Sequence, residues 1–166
     1  MIITSLSSES QGADRINYRT VHLMSKNYPA MNLILGSDKN LLTTSLGQPP
    51  TINHLDWATL TEDVDEYIYN GSNSIYIGVS NTANNFLWGY LLHTADLYVS
   101  YNANSIKIGD NINNVIRSQF PISYLMKRNN SISVSLSTDN GDISDSFLYF
   151  LYDNNDLITE IGIISH

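Results

Sequence analysis

Apolar and small polar residues alternate without exception over residues 131–137, which read Ser-Ile-Ser-Val-Ser-Leu-Ser. A period of two is typical of a β-strand with one face in a core and the other in water. Residues 74–80 repeat the pattern, with Ile75, Ile77 and Val79 predicted to point inward. The hydrophobic pattern therefore predicts an all-β protein.

Further strand candidates follow at short intervals: 16–24, 32–35, 86–91, 97–101, 106–108, 122–126, 147–152 and 157–164. Asn-Gly pairs at 70–71 and 140–141 supply the positive φ angles of tight hairpins. Many short strands with regular turns indicate an antiparallel β-sandwich or a barrel. A jelly roll is one form that such a sandwich can take. We expect a single domain over residues 1–166. Residues 1–50, which end at a Gln-Pro-Pro break, are a candidate N-terminal arm or strand pair packing on the main sheets.

Helical signals are few, and we expect at most one or two short helices. Asp110 is predicted to cap a helix that carries Ile112, Val115 and Ile116 on one face. Residues 56–60 form a candidate single turn.

The tripeptide Asn-Ser-Ile opens a predicted strand at three places, 73–75, 104–106 and 130–132. The two intervals differ, and the sequences between the copies do not match. The recurrence therefore indicates repeated turn chemistry and not a solenoid of structural repeats.

Charge and composition exclude several classes of protein. The chain has 166 residues, a formal net charge of −8 and no cysteine, which removes disulfides, thiolate catalysis and cysteine zinc sites. No Lys or Arg lies between Lys39 and Lys107 or beyond Arg128, so nucleic acid and anionic membranes are not expected partners. No apolar run approaches the roughly 18 residues that cross a bilayer. The first six residues lack the features of a secretory signal, so neither a signal peptide nor a transmembrane segment is predicted.

No catalytic motif is present, and we predict that the protein is not an enzyme. The four histidines are far apart in sequence, and neither His-Glu-x-x-His nor Gly-x-Ser-x-Gly occurs. The acidic run 62–66 has the chemistry to bind a hard cation or to protonate a glycosidic oxygen. Because five crowded residues are hard to desolvate together, a solvated acidic loop is the simpler interpretation.

Calcium is the one cofactor for which a weak candidate exists. Asp139, Asp142 and Asp145 surround Gly141 and resemble part of a calcium loop. The twelfth position counted from Asp139 is Phe150, where such a loop needs an acidic ligand. A polar hairpin turn explains the segment without a metal, and no cofactor is predicted.

The aromatic residues are the most suggestive candidates for contact with a partner. Residues 146–152 are apolar on both faces, which indicates a strand central in the stack or covered by another subunit. Tyrosine and tryptophan also stack on sugars and are enriched at protein interfaces. The candidates for interface or ligand contact are Phe147, Tyr149, Tyr152, Trp88, Tyr90, Tyr98 and Tyr101. For Trp88 and Phe86, a place in the core is the favoured interpretation.

These observations leave two hypotheses. The first is a structural protein of a multi-subunit particle, a virus or phage virion component such as a capsid decoration or tail protein. It would be assembled in the host cytoplasm and would bind copies of itself and other particle proteins. The second is a lectin-like module that binds a surface glycan or receptor. A third hypothesis, a hydrolase with a β-sandwich fold, is supported by no sequence motif.

Overall fold

A computed structural model describes residues 15–55, 63–79, 85–120, 125–138 and 143–164. It is 57% strand and 13% helical, which confirms the predicted all-β class. The described strands are β1 (Ile16–Asn17), β2 (Val21–Ser25), β3 (Asn32–Leu33), β4 (Thr51–Leu55), β5 (Asp63–Tyr69), β6 (Asn73–Val79), β7 (Phe86–Leu92), β8 (Leu97–Tyr101), β9 (Asn104–Ile106), β10 (Leu125–Arg128), β11 (Ser131–Ser137), β12 (Ile143–Tyr152) and β13 (Ile158–Ile164). The helices are a 3-10 turn (Tyr18–Thr20), α1 (Lys39–Leu46) and α2 (Ile112–Gln119). Neither α-helix is long and apolar enough to cross a membrane, in the part of the chain that is described.

The large sheet has nine strands in the order β1-β11-β12-β13-β7-β6-β5-β4, with β10 also paired to β11. All of these pairings are antiparallel except that of β1 with β11. One short parallel pair thus lies within a sandwich that is otherwise antiparallel, as predicted. On one edge of the sheet, β10 pairs with Ser131 to Val134 of β11, and β1 pairs with Leu136 and Ser137.

The small sheet has four strands in the order β3-β2-β8-β9 and covers one face of the large sheet. A single hydrophobic core joins them, with Leu23 and Val99 of the small sheet and Ile75 and Ile161 of the large sheet each fully buried. Both sheets are open in the described strands, so the structure is a sandwich and not a closed barrel. Residues 15–50 contribute strands to both sheets.

The clearest sequence patterns have the predicted structure. In β11, Ile132, Val134 and Leu136 are at most 1% exposed, while the serines between them point away from the core. The β5–β6 hairpin turns at Asn70 and Gly71, whose φ angles are 52° and 74°. Both positions need a left-handed backbone, which Asn and Gly adopt at low cost.

Other local predictions need correction. Helix α2 begins one residue later than predicted: the side chain of Asn111, not of Asp110, accepts a hydrogen bond from the backbone N–H of Asn113 at 3.0 Å. Asp110 instead accepts from the backbone N–H of Lys107 at 2.9 Å. Helix α1 was not predicted, although Asp38 caps it and Leu42 is buried.

The acidic run is also different from the predicted loop. Asp63–Glu66 belong to strand β5, with Val64 buried and Asp65 in contact with His54 of β4. A strand forms because β5 pairs along its whole length with β6, which supplies the backbone partners that a loop would lack. The candidate turn at 56–60 lies outside the described residues.

Candidate interaction surface

One face of the large sheet lies opposite the face that the small sheet covers, and we call it the outer face. Its described side chains are Thr51, Asn53 and Leu55 of β4, Val64, Glu66 and Ile68 of β5, Ser74 and Tyr76 of β6, Phe86 and Leu91 of β7, Met126 and Arg128 of β10, Ser131, Ser133 and Ser135 of β11, Phe147, Tyr149 and Leu151 of β12, and Glu160 of β13. Phe147, Leu151, Leu91 and Ile68 are all half-buried, which is intermediate between core and surface. An isolated sheet normally places polar side chains on such a face.

Tyr149 lies at the centre of the outer face, against the backbone of Gly162 on the neighbouring strand. A Cβ atom added at Gly162 would lie 2.5 Å from Cε1 and Cζ of the Tyr149 ring, closer than real Cβ contacts. Glycine inside a strand often marks such a close approach. Phe86 covers Gly78 in the same way, with Cζ 2.8 Å from an added Cβ. Gly162 and Gly78 thus let the rings of Tyr149 and Phe86 pack directly against the backbone of the sheet.

The Glu160 carboxylate holds Tyr149 and His93 together at this centre. The Tyr149 hydroxyl donates to Oε1 of Glu160 at 2.8 Å, and Nε2 of His93 is 2.8 Å from Oε2. Burial and the neighbouring Glu160 raise the pKa of Tyr149, so its hydroxyl stays protonated and donates at neutral pH. The His93 side chain is 37% exposed and that of Glu160 is 21% exposed, so both are within reach of a partner.

A second tyrosine–carboxylate pair lies towards β5. Tyr76 is 8% exposed, and burial together with the charge of Glu66 raises its pKa. Glu66 accepts a hydrogen bond from Nδ2 of Asn53 at 2.8 Å. The charge of Glu160 also raises the pKa of Tyr76, after burial and Glu66. The outer face therefore combines half-buried apolar side chains with polar residues, among them Glu160 at its centre.

The structure places only two of the predicted contact residues, Phe147 and Tyr149, on the outer face. In the isolated chain, strand β12 buries Leu148 and Phe150 and leaves its other face half-exposed. Tyr152 is shifted by a bulge after Leu151 and packs against the edge of the core. Its hydroxyl donates to the carbonyl oxygen of Asn129 at 2.8 Å.

Tyr90 is a core residue, which corrects its prediction as a contact residue. A bulge in β7 between Leu87 and Gly89 shifts the alternation, so that Leu87 and Tyr90 both point into the core, each 1% exposed. Burial raises the pKa of Tyr90, whose hydroxyl has no hydrogen-bond partner among the described residues.

The same bulge leaves Trp88 half-buried, so that neither Trp88 nor Phe86 is a fully buried core residue. Trp88 lines an open cleft of about 280 Å³ with Tyr18 and Leu35, at one end of the sandwich.

Two predicted contact residues belong to the small sheet. Tyr101 is buried and stacks on Phe120, with ring centroids 4.8 Å apart and planes at 12°, which corrects its prediction as a surface contact. Tyr98 is half-buried and pairs with Met24 in register. Tyr98, Trp88 and Tyr149 therefore do not form one site.

The predicted calcium-loop residues lie mostly outside the described part of the chain. Asp139 and Asp142 lie outside the described residues, and Asp145 is described only as a backbone position in β12. Among the residues that are described, no three His, Asp or Glu side chains are grouped as metal ligands.

The sequence analysis missed Glu160, His93 and Tyr76 as members of the central cluster. They come from β13, the turn after β7 and β6, and only the strand order brings them together. One signal was available, because Gly162 interrupts the apolar sequence of its strand and indicates a close contact there.

No protein-family model, curated protein or solved structure matches this chain. The class of protein that the geometry defines is an open all-β sandwich whose small sheet covers one face of the large sheet.

Proposed function

We propose that the protein is a non-enzymatic structural component of a multi-subunit particle, namely a virus or phage virion protein such as a capsid decoration or tail protein. It acts through contacts with copies of itself and with other particle proteins. The observation that carries this proposal is the outer face of the large sheet, where Phe147, Leu151, Leu91 and Ile68 are half-exposed on one surface.

Apolar and aromatic side chains on a sheet face are stabilised when a second surface covers them, by about 25 cal/mol for each Å² removed from water. The polar groups at the centre, Tyr149 and Glu160, already bond to one another, so they can be covered without losing those bonds. Protein interfaces normally keep charged groups at the rim, so the central Glu160 can be covered only because its carboxylate is already bonded to Tyr149 and His93. The lack of a catalytic motif and of clustered cations agrees with a protein that works by contact.

The proposal predicts that the wild-type chain self-associates at micromolar to millimolar concentration and that Phe147→Ser/Leu151→Ser weakens this association. Removing two apolar anchors is expected to raise the dissociation constant by about tenfold to a hundredfold. Analytical ultracentrifugation over a concentration series measures the effect.

The matched control is Leu41→Ser/Leu157→Ser, which removes two apolar side chains that are 54% and 39% exposed but lie outside the outer face. Circular dichroism checks that both variants remain folded. A wild-type chain that is monomeric throughout the concentration series would contradict the proposal.

Carbohydrate binding is the second candidate function, and one observation favours it. The Tyr149 ring lies on Gly162 beside Glu160 and His93, which places an aromatic surface next to hydrogen-bonding groups. An aromatic ring with polar neighbours suits a sugar, which has apolar C–H faces and hydroxyl edges.

For this candidate, Tyr149→Ala is expected to abolish glycan-array binding, with a loss of at least tenfold. Tyr98→Ala on the small sheet, which is also half-buried, serves as the control. Equal binding by both variants, or no binding by the wild type, would exclude a sugar site at Tyr149.

A further inference from the structure

Within the described residues, the two edges of the large sheet have no further strand paired to them, and their chemistry differs. At one edge, β4 pairs only with β5 among the described strands, and Thr51–His54 are exposed. At the other edge, which β10 shares with β1, β10 has β11 as its one partner among the described strands and ends in the exposed residues Lys127 and Arg128. An edge strand presents unpaired backbone N–H and C=O groups, which can pair with another chain.

Strand β4 lacks the features that usually protect an edge. It has no Lys or Pro, and its register with β5 runs without a bulge from Thr51 to Leu55. Ile52 is 43% exposed on this strand. Natural edge strands are normally blocked by such charges, prolines or bulges, because they otherwise invite pairing.

The two edges carry opposite charges. Next to β4, strand β5 contributes Asp63, Asp65 and Glu66, and no Lys or Arg occurs between Lys39 and Lys107. The strands β1, β10 and β11 at the other edge contain Lys127 and Arg128 and no acidic residue. Opposite charges steer an encounter and favour one pairing over others. A pairing of β4 with a second β4 would instead bring two acidic ends together.

The strand directions also fit. The strands β10, β11, β12, β13, β7, β6, β5 and β4 form a row in which each neighbouring pair is antiparallel. Because this row has an even number of strands, β10 and β4 run in opposite directions. A second copy moved sideways along the sheet, without being turned over, therefore places its β10 antiparallel to β4 of the first.

We infer that the copies associate head to tail, with β4 of one copy pairing with β10 of the next to form a continuous antiparallel sheet. This inference rests on the proposed function, since it names how copies of this chain contact each other. The contact uses two different surfaces and therefore generates a ring if the rotation between copies closes, and a filament if it does not.

Two single-cysteine chains test the inference directly, because the natural chain has no cysteine. Ile52 pairs with Tyr67 and Lys127 with Ile132, both of which are buried core residues, so Ile52 and Lys127 lie on the same face of the sheet. A mixture of the Ile52→Cys and Lys127→Cys chains is treated with a short bis-maleimide, whose arm tolerates a small difference in register. The expected product is the mixed cross-linked dimer, in at least tenfold excess over either homodimer.

Charge reversal provides an independent measurement. Lys127→Glu/Arg128→Glu is expected to weaken self-association at least tenfold in sedimentation, and wild-type association through this contact is expected to fall as salt rises. The control Lys26→Glu/Lys107→Glu makes the same change in net charge at exposed positions away from both edges.

The outcomes separate the inference from the proposed function. Association of the wild type without the mixed cross-link, or a dominant Ile52→Cys homodimer, would overturn head-to-tail pairing and leave the proposed function standing. A wild type that does not associate at any concentration would overturn both.

Discussion

Replacing Phe150 by alanine is expected to lower the free energy of unfolding by about 3–5 kcal/mol, because it removes a large buried side chain and leaves a cavity. Phe150 is 1% exposed in β12, which lies inside the large sheet between β11 and β13. Its ring is 6.0 Å from that of Phe120, which in turn stacks on Tyr101 of the small sheet. Phe150 is thus one end of an aromatic contact that links the two sheets.

The control for this prediction is Phe147→Ala on the same strand. Phe147 lies on the half-exposed outer face, so its removal from the monomer is expected to cost only about 1 kcal/mol. Urea denaturation at a concentration where the chain is monomeric measures both changes. If Phe150→Ala does not fold, Phe150→Leu gives a smaller measurable loss. Equal losses at the two positions would show that both faces of β12 are buried in the monomer.

Asn73→Ala is expected to lower the free energy of unfolding by about 2–4 kcal/mol, since it leaves buried polar groups without partners. Asn73 is fully buried. Its Oδ1 accepts from the backbone N–H of His93 at 2.8 Å and of Thr94 at 3.1 Å, and its Nδ2 donates to the Thr94 hydroxyl at 2.7 Å. One side chain thereby fixes the turn that carries His93 towards Glu160.

Asn104→Ala is the matched control, because Asn104 begins the same tripeptide Asn-Ser-Ile as Asn73. Asn104 is exposed, and its Nδ2 donates to the carbonyl oxygen of Asn102 at 3.2 Å. Its substitution is expected to change stability by no more than about 0.5 kcal/mol. Thermal and urea unfolding of both variants measure the difference, and a similar loss at both positions would contradict the role given to Asn73.

The two asparagines show where sequence-based prediction of this protein reaches its limit. Identical tripeptides begin a strand at Asn73 and at Asn104, as predicted, yet only the first is buried. The difference arises because β6 lies inside the large sheet, whereas β9 is at the edge of the small one. Local sequence predicts the turn, and the strand order decides its burial.

Hydrophobic alternation predicts strands well where pairing is regular and fails where it is not. It places Ile132 and Val134 correctly in the core, because β11 pairs there without interruption. It misplaces Tyr90, because the bulge in β7 inserts an extra residue that no period of two can represent. It misses β4, whose sequence is not alternating because neither of its faces is buried.

From sequence, Gly162 signals a close contact on the outer face, but the members of the central cluster could not be predicted. Glu160 and Tyr149 are close in sequence, but Tyr76 and His93 join them only because β13 lies between β12 and β7. Pairings between distant parts of a chain depend on tertiary structure, and local patterns do not encode them.

The place of β13 has a consequence for biosynthesis. This strand is translated after the twelve others described here, yet it bridges β12 and β7 in the middle of the large sheet. Until it leaves the ribosome, β12 and β7 lack the strand that joins them in the native sheet. Pairing between segments that are distant in sequence slows folding, and partly folded chains expose apolar surface and unpaired strand edges that aggregate. A chain that terminates before Ile158 would therefore lack the strand that joins β12 to β7. Chaperones and proteases would act on such a chain.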